Sequence, residues 1–209
     1  MSRAFLPAAG LDILLPLYDP LWWVLGGAKL RADFIRDAGI ARGQRILDVG
    51  CGTGSLLVQI AQTAPEVRLS GIDPDAKALA RCRRKSASAG VEVEWCQGFA
   101  DELPHADGSF DRVLSSFMFH HLDLDTRRGM LREAHRVLIP GGELHLVDFA
   151  GQQHGHGPLA HWFHRHEQPA DHRGGRVVEL FVEAGFDPVR EVSQHRSILG
   201  SYAHVRGVR

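Results

Sequence analysis

Short apolar runs alternate along this chain with stretches of helical periodicity. Ile46 to Val49 is a mostly apolar run broken only by Asp48, and it reads as a buried strand that stops at Gly50. From Leu56 the apolar positions Leu56, Leu57, Ile60 and Ala61 fall at helical spacing. Val67 to Ile72 predicts a second strand ending at Asp73-Pro74, and a helix follows from Asp75 to about Ser88, with Pro74 suited to its opening. Val91 to Cys96 and Phe110 to Ser115 read as the third and fourth strands. Met130, Leu131, Ala134, Val137 and Leu138 then stripe a helix that Asp125-Thr126 can cap and Pro140-Gly-Gly142 stops. Glu143 to Phe149 is a fifth strand, and Val177, Val178, Leu180, Phe181 and Ala184 mark a helix closed by Gly185. Two strand-like runs, about Pro188 to Ser193 and Ile198 to Val205, end the chain. Strand and helix in regular alternation predict an α/β fold around a mostly parallel sheet. Residues 2–40 stand before it as helical segments, broken at Pro16 and at Gly26-Gly27.

The junction at Gly50 carries the chemistry. A strand, a glycine-rich turn and a helix make a cradle for a phosphate or a nucleotide, because amide groups at the helix start are left open. Gly50, Gly52 and Gly54 give G-x-G-x-G, with Ser55 where a dinucleotide fingerprint places its third glycine. That spacing disfavours a nicotinamide dehydrogenase, and no G-x-x-x-x-G-K-[ST] run supports a P-loop. Close backbone approach without a pyrophosphate seat suits a nucleoside bearing a zwitterionic amino-acid tail. The contact candidates are Asp48, Gly50, Cys51, Gly52, Thr53 and Gly54. Asp73, about twenty residues beyond the glycines at a strand end, is placed to accept both ribose hydroxyls, with Pro74 beside it. The plainer alternative is that Asp73 only caps the next helix.

Ile46-Leu-Asp-Val-Gly-Cys-Gly-Thr-Gly54 resembles the signature of class I S-adenosylmethionine (SAM)-dependent methyltransferases. The resemblance continues in register through Gly71-Ile-Asp-Pro74, Leu103-Pro104, Gly108-Ser-Phe-Asp111 and Arg136-Val-Leu-Ile-Pro-Gly-Gly142. It is nearest to the subgroup of quinone-biosynthesis C-methyltransferases and phosphoethanolamine N-methyltransferases. It implies a Rossmann-like fold with a seven-stranded, mostly parallel sheet, helices on both faces and an antiparallel C-terminal hairpin. One domain is expected. Residues 1–40 form its helical lid, 41–150 the SAM-binding core, 151–175 a histidine-rich insertion on the substrate side, and 176–209 the last helix and hairpin.

The resemblance also assigns residues. The segment Gln97 to Pro104 frames adenine, but Phe99 stands where relatives often carry Asp or Asn, so the ring would be held by shape and by the Ala100 amide. Ser115 and Ser116, at a ligand-facing strand end, are candidates for the methionine part of the cofactor. His121 falls where phosphoethanolamine methyltransferases place a histidine that works with a lid tyrosine, here Tyr18, and His120 is the weaker of the two adjacent histidines. An imidazole titrating near neutral pH suits proton transfer from an acceptor. Asp148, Trp22 and His161 are the substrate-side candidates, and Trp22 and Trp23 could equally pack on the sheet or touch a membrane surface.

Composition narrows the rest. The chain has 209 residues, 44% hydrophobic and 23% charged, with a formal charge of −1, so nothing points to nucleic acid as a partner. Cys51, Cys82 and Cys96 lack C-x-x-C spacing and read as reduced thiols of a cytoplasmic protein. No run approaches the about 18 apolar residues of a membrane span. His154, His156, His161, His164, His166 and His172 cluster after the fifth strand, but without an acidic or cysteine partner they make a weak metal signal, and no metal is expected. The expected function is transfer of the SAM methyl group to a small or lipid-like acceptor, leaving S-adenosylhomocysteine. The rival is a SAM-binding sensor or partner subunit without catalysis. The sequence is silent on oligomeric state and on which atom of the acceptor is methylated.

Overall fold

The computed structural model describes residues 27–64, 66–150, 174–197 and 200–209. Tyr18, Trp22, Trp23, His161 and the rest of the histidine-rich insertion lie outside these. The chain divides into two compact units, residues 1–100 and 101–209. Its seven strands form the mixed sheet that the resemblance implied, ending in an antiparallel hairpin.

In the first unit α1 (Gly27–Asp37), β1 (Arg45–Val49), α2 (Ser55–Thr63), β2 (Arg68–Asp73), α3 (Ala76–Ala89) and β3 (Glu94–Gln97) follow in order. The three strands run parallel in the order β3-β2-β1. Ile46, Leu47 and Val49 of β1 are buried with Leu56, Leu57 and Ile60 of α2, which fixes the helix beside its strand through one apolar stripe. Asp75, not Pro74, marks the start of α3: its carboxylate accepts the Lys77 amide, and Pro74 lies before the cap. The third strand is shorter than Val91–Cys96 because the chain is still leaving α3 there. Gly90 turns it with a left-handed backbone, and the Val91 amide is taken by the Ser86 carbonyl at 3.0 Å.

The second unit contains β4 (Phe110–Ser116), a 3-10 turn (Phe119–His121), α4 (Leu124–Val137), β5 (Leu138–Phe149), α5 (Gly174–Glu183), β6 (Val189–Ser197) and β7 (Gly200–Val208). Here β4 and β5 are parallel, β7 is antiparallel to β5, and β6 is antiparallel to β7. Asp123 caps α4 by accepting the Thr126 amide at 2.8 Å, two residues earlier than Asp125-Thr126 suggested. The glycines after Pro140 do not delay β5, which starts at Leu138. Gly141 and Gly142 exchange backbone hydrogen bonds with Arg209, at 2.8 and 2.9 Å, and Leu138 pairs with Phe110. Arg136 explains why the Leu103-Pro104 and Gly108-Asp111 segments travel with Arg136 in one motif. Its guanidinium donates to the carbonyls of Leu103 and His105 and to Asp107 and Glu133, pinning the loop before β4 to α4.

Two consequences can be measured. A Cβ on Gly71 would lie 2.6 Å from the Trp95 ring, which is rigid, so Gly71→Ala is expected to cost about 1–3 kcal/mol in thermal or urea denaturation. The second concerns acid. Glu143, bonded by His145 and Arg206 against the upward push of burial, is held down to about 2, below its ordinary 4.5. His145 is fully buried, and that burial holds it below its ordinary 6.5 although Glu143 opposes the shift. Both groups bind fewer protons folded than unfolded, so their own contribution to stability climbs with pH, for Glu143 between about 2 and about 4.5. Glu143→Gln should therefore lose less stability than the wild type as pH falls from about 5 to about 2 in urea denaturation.

Candidate cofactor and active site

The glycine turn of the first unit is built from backbone bonds to β2. The amides of Gly50 and Cys51 both donate to the Ile72 carbonyl, at 2.9 and 3.1 Å, and the Gly52 amide donates to Asp73 Oδ2 at 2.9 Å. Gly50, Gly52 and Gly54 have φ of 74°, 52° and 76°, a region that any side chain disfavours. Gly54 is constrained twice, since a Cβ there would fall 2.6 Å from the Trp95 ring and 3.0 Å from Cys82 Sγ. Gly54 also precedes α2 with no side chain capping the helix, which leaves this end suited to an anionic group or a ligand oxygen.

Two carboxyls lie beneath this turn. Asp73 spends both oxygens on amides, Oδ2 on Gly52 and Oδ1 on Asp75 at 2.9 Å, and burial raises its pKa while those bonds oppose the rise. Asp73 therefore does more than precede a helix: it joins the turn to the start of α3. Asp48 is 1% exposed, and its Oδ1 has no hydrogen-bond partner. Burial, reinforced by the charge of Asp73, pushes its carboxyl up to about 8. Around them, Cys82 Sγ donates to the Gly52 carbonyl at 3.1 Å and Thr53 is buried. Phe99 and Ala100, half-buried, follow the Gly98 amide that donates to the Asp73 carbonyl. Arg81, Arg83, Arg84 and Lys85 make a basic run along α3, the pattern of a solvated face, but Lys85 does not follow it. It is instead half-buried and donates to Ser55 Oγ at 2.6 Å and to Thr53 Oγ1 at 3.2 Å, bracing the turn from α3. Its spacing from Cys82, one turn earlier on the buried side, was the available signal.

In the second unit β4 ends at Ser115, buried, and Ser116, half-buried. Phe117 then takes φ 52°, a strained value for an aromatic residue, and its amide donates to the Val147 carbonyl. This sharp exit delivers the 3-10 turn, and with it His120. The His120 amide donates to Asp148 Oδ2 at 3.0 Å, and its Nδ1 lies 2.6 Å from Asp148 Oδ1. Burial pushes Asp148 up, but His120 and the Phe149 and His120 amides outweigh it and hold the carboxyl below its usual range. Asp148 is thus held as an anion, so it accepts from His120 Nδ1. Arg127, 2% exposed, donates to the Phe119 and His120 carbonyls at 3.1 and 3.3 Å and holds the turn from α4. The His121 ring is exposed and lies 3.9 Å, centroid to centroid, from that of His120. Of the adjacent pair, the buried, carboxylate-bound histidine is therefore His120. Asp148, placed by sequence on the substrate side, is its partner.

Residues 46–142 match the family model for a methyltransferase domain. Over that stretch the chain resembles methyltransferase domains. The chain is 38% identical over 107 residues to a demethylmenaquinone methyltransferase of Thermus thermophilus, covering 51% of this chain and 47% of the relative. It is 36% identical over 148 residues to O-methyltransferase resE of Aspergillus sclerotiorum, covering 69% of this chain and 55% of the relative. The chain thus spans about half the length of these curated relatives. Among solved structures, phosphoethanolamine N-methyltransferase 2 of Haemonchus contortus, in complex with phosphomonomethylethanolamine and S-adenosylhomocysteine, superposes with a TM-score of 0.78. It covers 97% of this chain and 58% of that one at 16% identity, a likeness of fold. Among the described residues no helix is long and apolar enough to cross a membrane.

Asp73→Asn is expected to weaken SAM binding about ten- to a hundredfold, the scale of hydrogen bonds made by a charged group. Arg84→Ala, on the exposed face of α3, should leave it within about twofold. Calorimetric titration separates the two, and equal affinities would remove Asp73 from the site.

Proposed function

We propose that this chain transfers the methyl group of SAM to a hydroxyl oxygen of a small or amphiphilic acceptor, with His120 as the base. The observation that carries this reading is the buried His120–Asp148 pair, with Nδ1 2.6 Å from Oδ1. The relatives support a methyltransferase, and they include both an O-methyltransferase and a quinone-type enzyme.

The residues proposed to hold the cofactor are Asp48, Gly50, Cys51, Gly52, Thr53, Gly54, Asp73, Pro74, Phe99, Ala100, Ser115 and Ser116. They fit it on one ground above others. Asp48 and Asp73 are two buried carboxyls under a turn of open amides, and SAM brings cationic groups for the carboxyls and oxygens for the amides. When bound, the cofactor supplies a methyl group made electrophilic by its sulfonium, so the protein needs to supply position and a proton acceptor. His120 Nε2 takes the hydroxyl proton as the acceptor oxygen attacks. Asp148 stabilises the resulting imidazolium through Nδ1, and Arg127 keeps the turn from shifting as that charge forms. His121, at the outer side of His120, is proposed to meet the acceptor together with Tyr18 of the lid. Trp22 and His161 belong to the same proposed substrate side, and the cysteine composition supports a cytoplasmic setting.

A panel of phenols, hydroquinones and hydroxylated lipids, assayed for labelled methyl transfer from SAM, tests this. His120→Ala is expected to lower turnover about 10²–10⁴-fold with SAM affinity retained. Asp148→Asn should move the acid limb of the pH–rate profile to lower pH, because the imidazolium loses its counter-ion. Full turnover in His120→Ala would refute the assignment.

A further inference from the structure

We propose that Asp48 is a proton-linked counter-ion: its carboxyl is protonated in the empty protein and releases that proton to solvent when the cationic cofactor enters. This rests on the SAM-binding reading above and adds to it a coupling between cofactor and pH.

The geometry begins with position. Asp48 precedes the last residue of β1 and pairs in register with Gly71, two residues before Asp73 on β2. Its carboxyl is thus fixed by the sheet, 1% exposed, with Oδ1 unbonded. An ionised carboxylate there would be a buried charge without a donor, a costly arrangement. A protonated one is far less so.

The neighbouring groups do not relieve it. Asp73, from β2, acts on Asp48 as a like charge. Asp73 has both oxygens engaged by amides and so is the better placed of the two to hold the negative charge. Cys51, from the glycine turn, is a buried thiol whose pKa is raised well above its ordinary value, first by its bond with Cys82 and then by burial, so it too is neutral. Cys82, from α3, is hydrogen-bonded to Cys51 and donates a hydrogen bond to the Gly52 carbonyl. Among the described residues, the titratable groups that act on Asp48 are thus the Asp73 carboxylate and the Cys51 thiol, and neither is a cation. When two carboxyls share a site, one is driven to keep its proton.

A ligand that carries positive charge reverses this balance. SAM has a permanent sulfonium and an ammonium, and either would stabilise a second carboxylate under the turn. The step is a simple exchange: the Asp48 O–H bond breaks, its electron pair stays on the carboxylate, and the proton passes to water or buffer. Nothing is oxidised or reduced. Since the empty carboxyl is pushed up to about 8, the sign follows directly. Below about pH 8 each bound SAM releases a proton, so affinity rises roughly tenfold per pH unit, and above it affinity is flat.

The test is isothermal titration of the full chain with SAM, without acceptor, at pH 7 in phosphate and in Tris, whose ionisation heats differ widely. Wild type should release roughly 0.9 proton per SAM bound, and affinity should climb between pH 6 and pH 8. Asp48→Asn should release none beyond what SAM's own amine contributes, and its affinity should be flat over that range. Asp73→Asn, which removes the like charge, should release fewer protons than wild type wherever it still binds. If Asp48→Asn does not fold, the wild-type heats decide alone. Binding with equal heats in the two buffers and affinity flat from pH 6 to pH 8 would overturn the coupling and leave the SAM reading intact. No binding of SAM at any pH would instead overturn the SAM reading, and the coupling with it.

Discussion

The Ile72 carbonyl accepts two amides, from Gly50 and Cys51, and the next side chain along, Asp73, accepts a third from Gly52. Three consecutive residues of the turn are thus tied to the end of one strand. This constraint sets the path between β1 and α2, and with it the left-handed backbone that only glycines tolerate there. Trp95 closes the arrangement from below, so close to Gly54 and Gly71 that neither position has room for a methyl group. The turn is shaped by what it is bonded to, and the cofactor proposal inherits that shape.

The second unit solves a similar problem with a different device. There a strained Phe117 turns the chain out of β4, and Asp148, from the end of β5, catches the His120 amide and imidazole together. Arg127 completes the hold by taking two carbonyls of the same short turn. Buried Asp148 stays below its ordinary range because the His120 ring, and after it the backbone amides, outweigh desolvation. In Asp48 the amides are missing, and the same side chain in a similarly buried place is driven the other way.

Much of this was legible in the residues. The glycine spacing, Asp73 and the order of strands and helices follow from local pattern and short-range turn chemistry, and the structure has them where they were expected. The boundaries that moved did so for reasons remote in sequence. β5 begins early because Arg209 bonds to Gly141 and Gly142, and the third strand is short because Ser86 reaches back for Val91. That His120, and not His121, holds the buried carboxylate was equally beyond local reading. Adjacent histidines look alike in a sequence, and what separates them is a carboxylate 28 positions away. Lys85 belongs to the same class, a charge in a basic run that turned out to be spoken for by two hydroxyls 30 and 32 residues distant.

The place of Trp95 has an optical consequence. Its indole lies against Gly54 of the β1–α2 turn and Gly71 of β2 and donates to Ser86. Small displacements of that turn alter the polarity and quenching around one fluorophore, with Cys82 among its neighbours. With the other three tryptophans replaced by phenylalanine, emission from this ring would follow the movement of the turn directly, without labels and on the timescale of mixing.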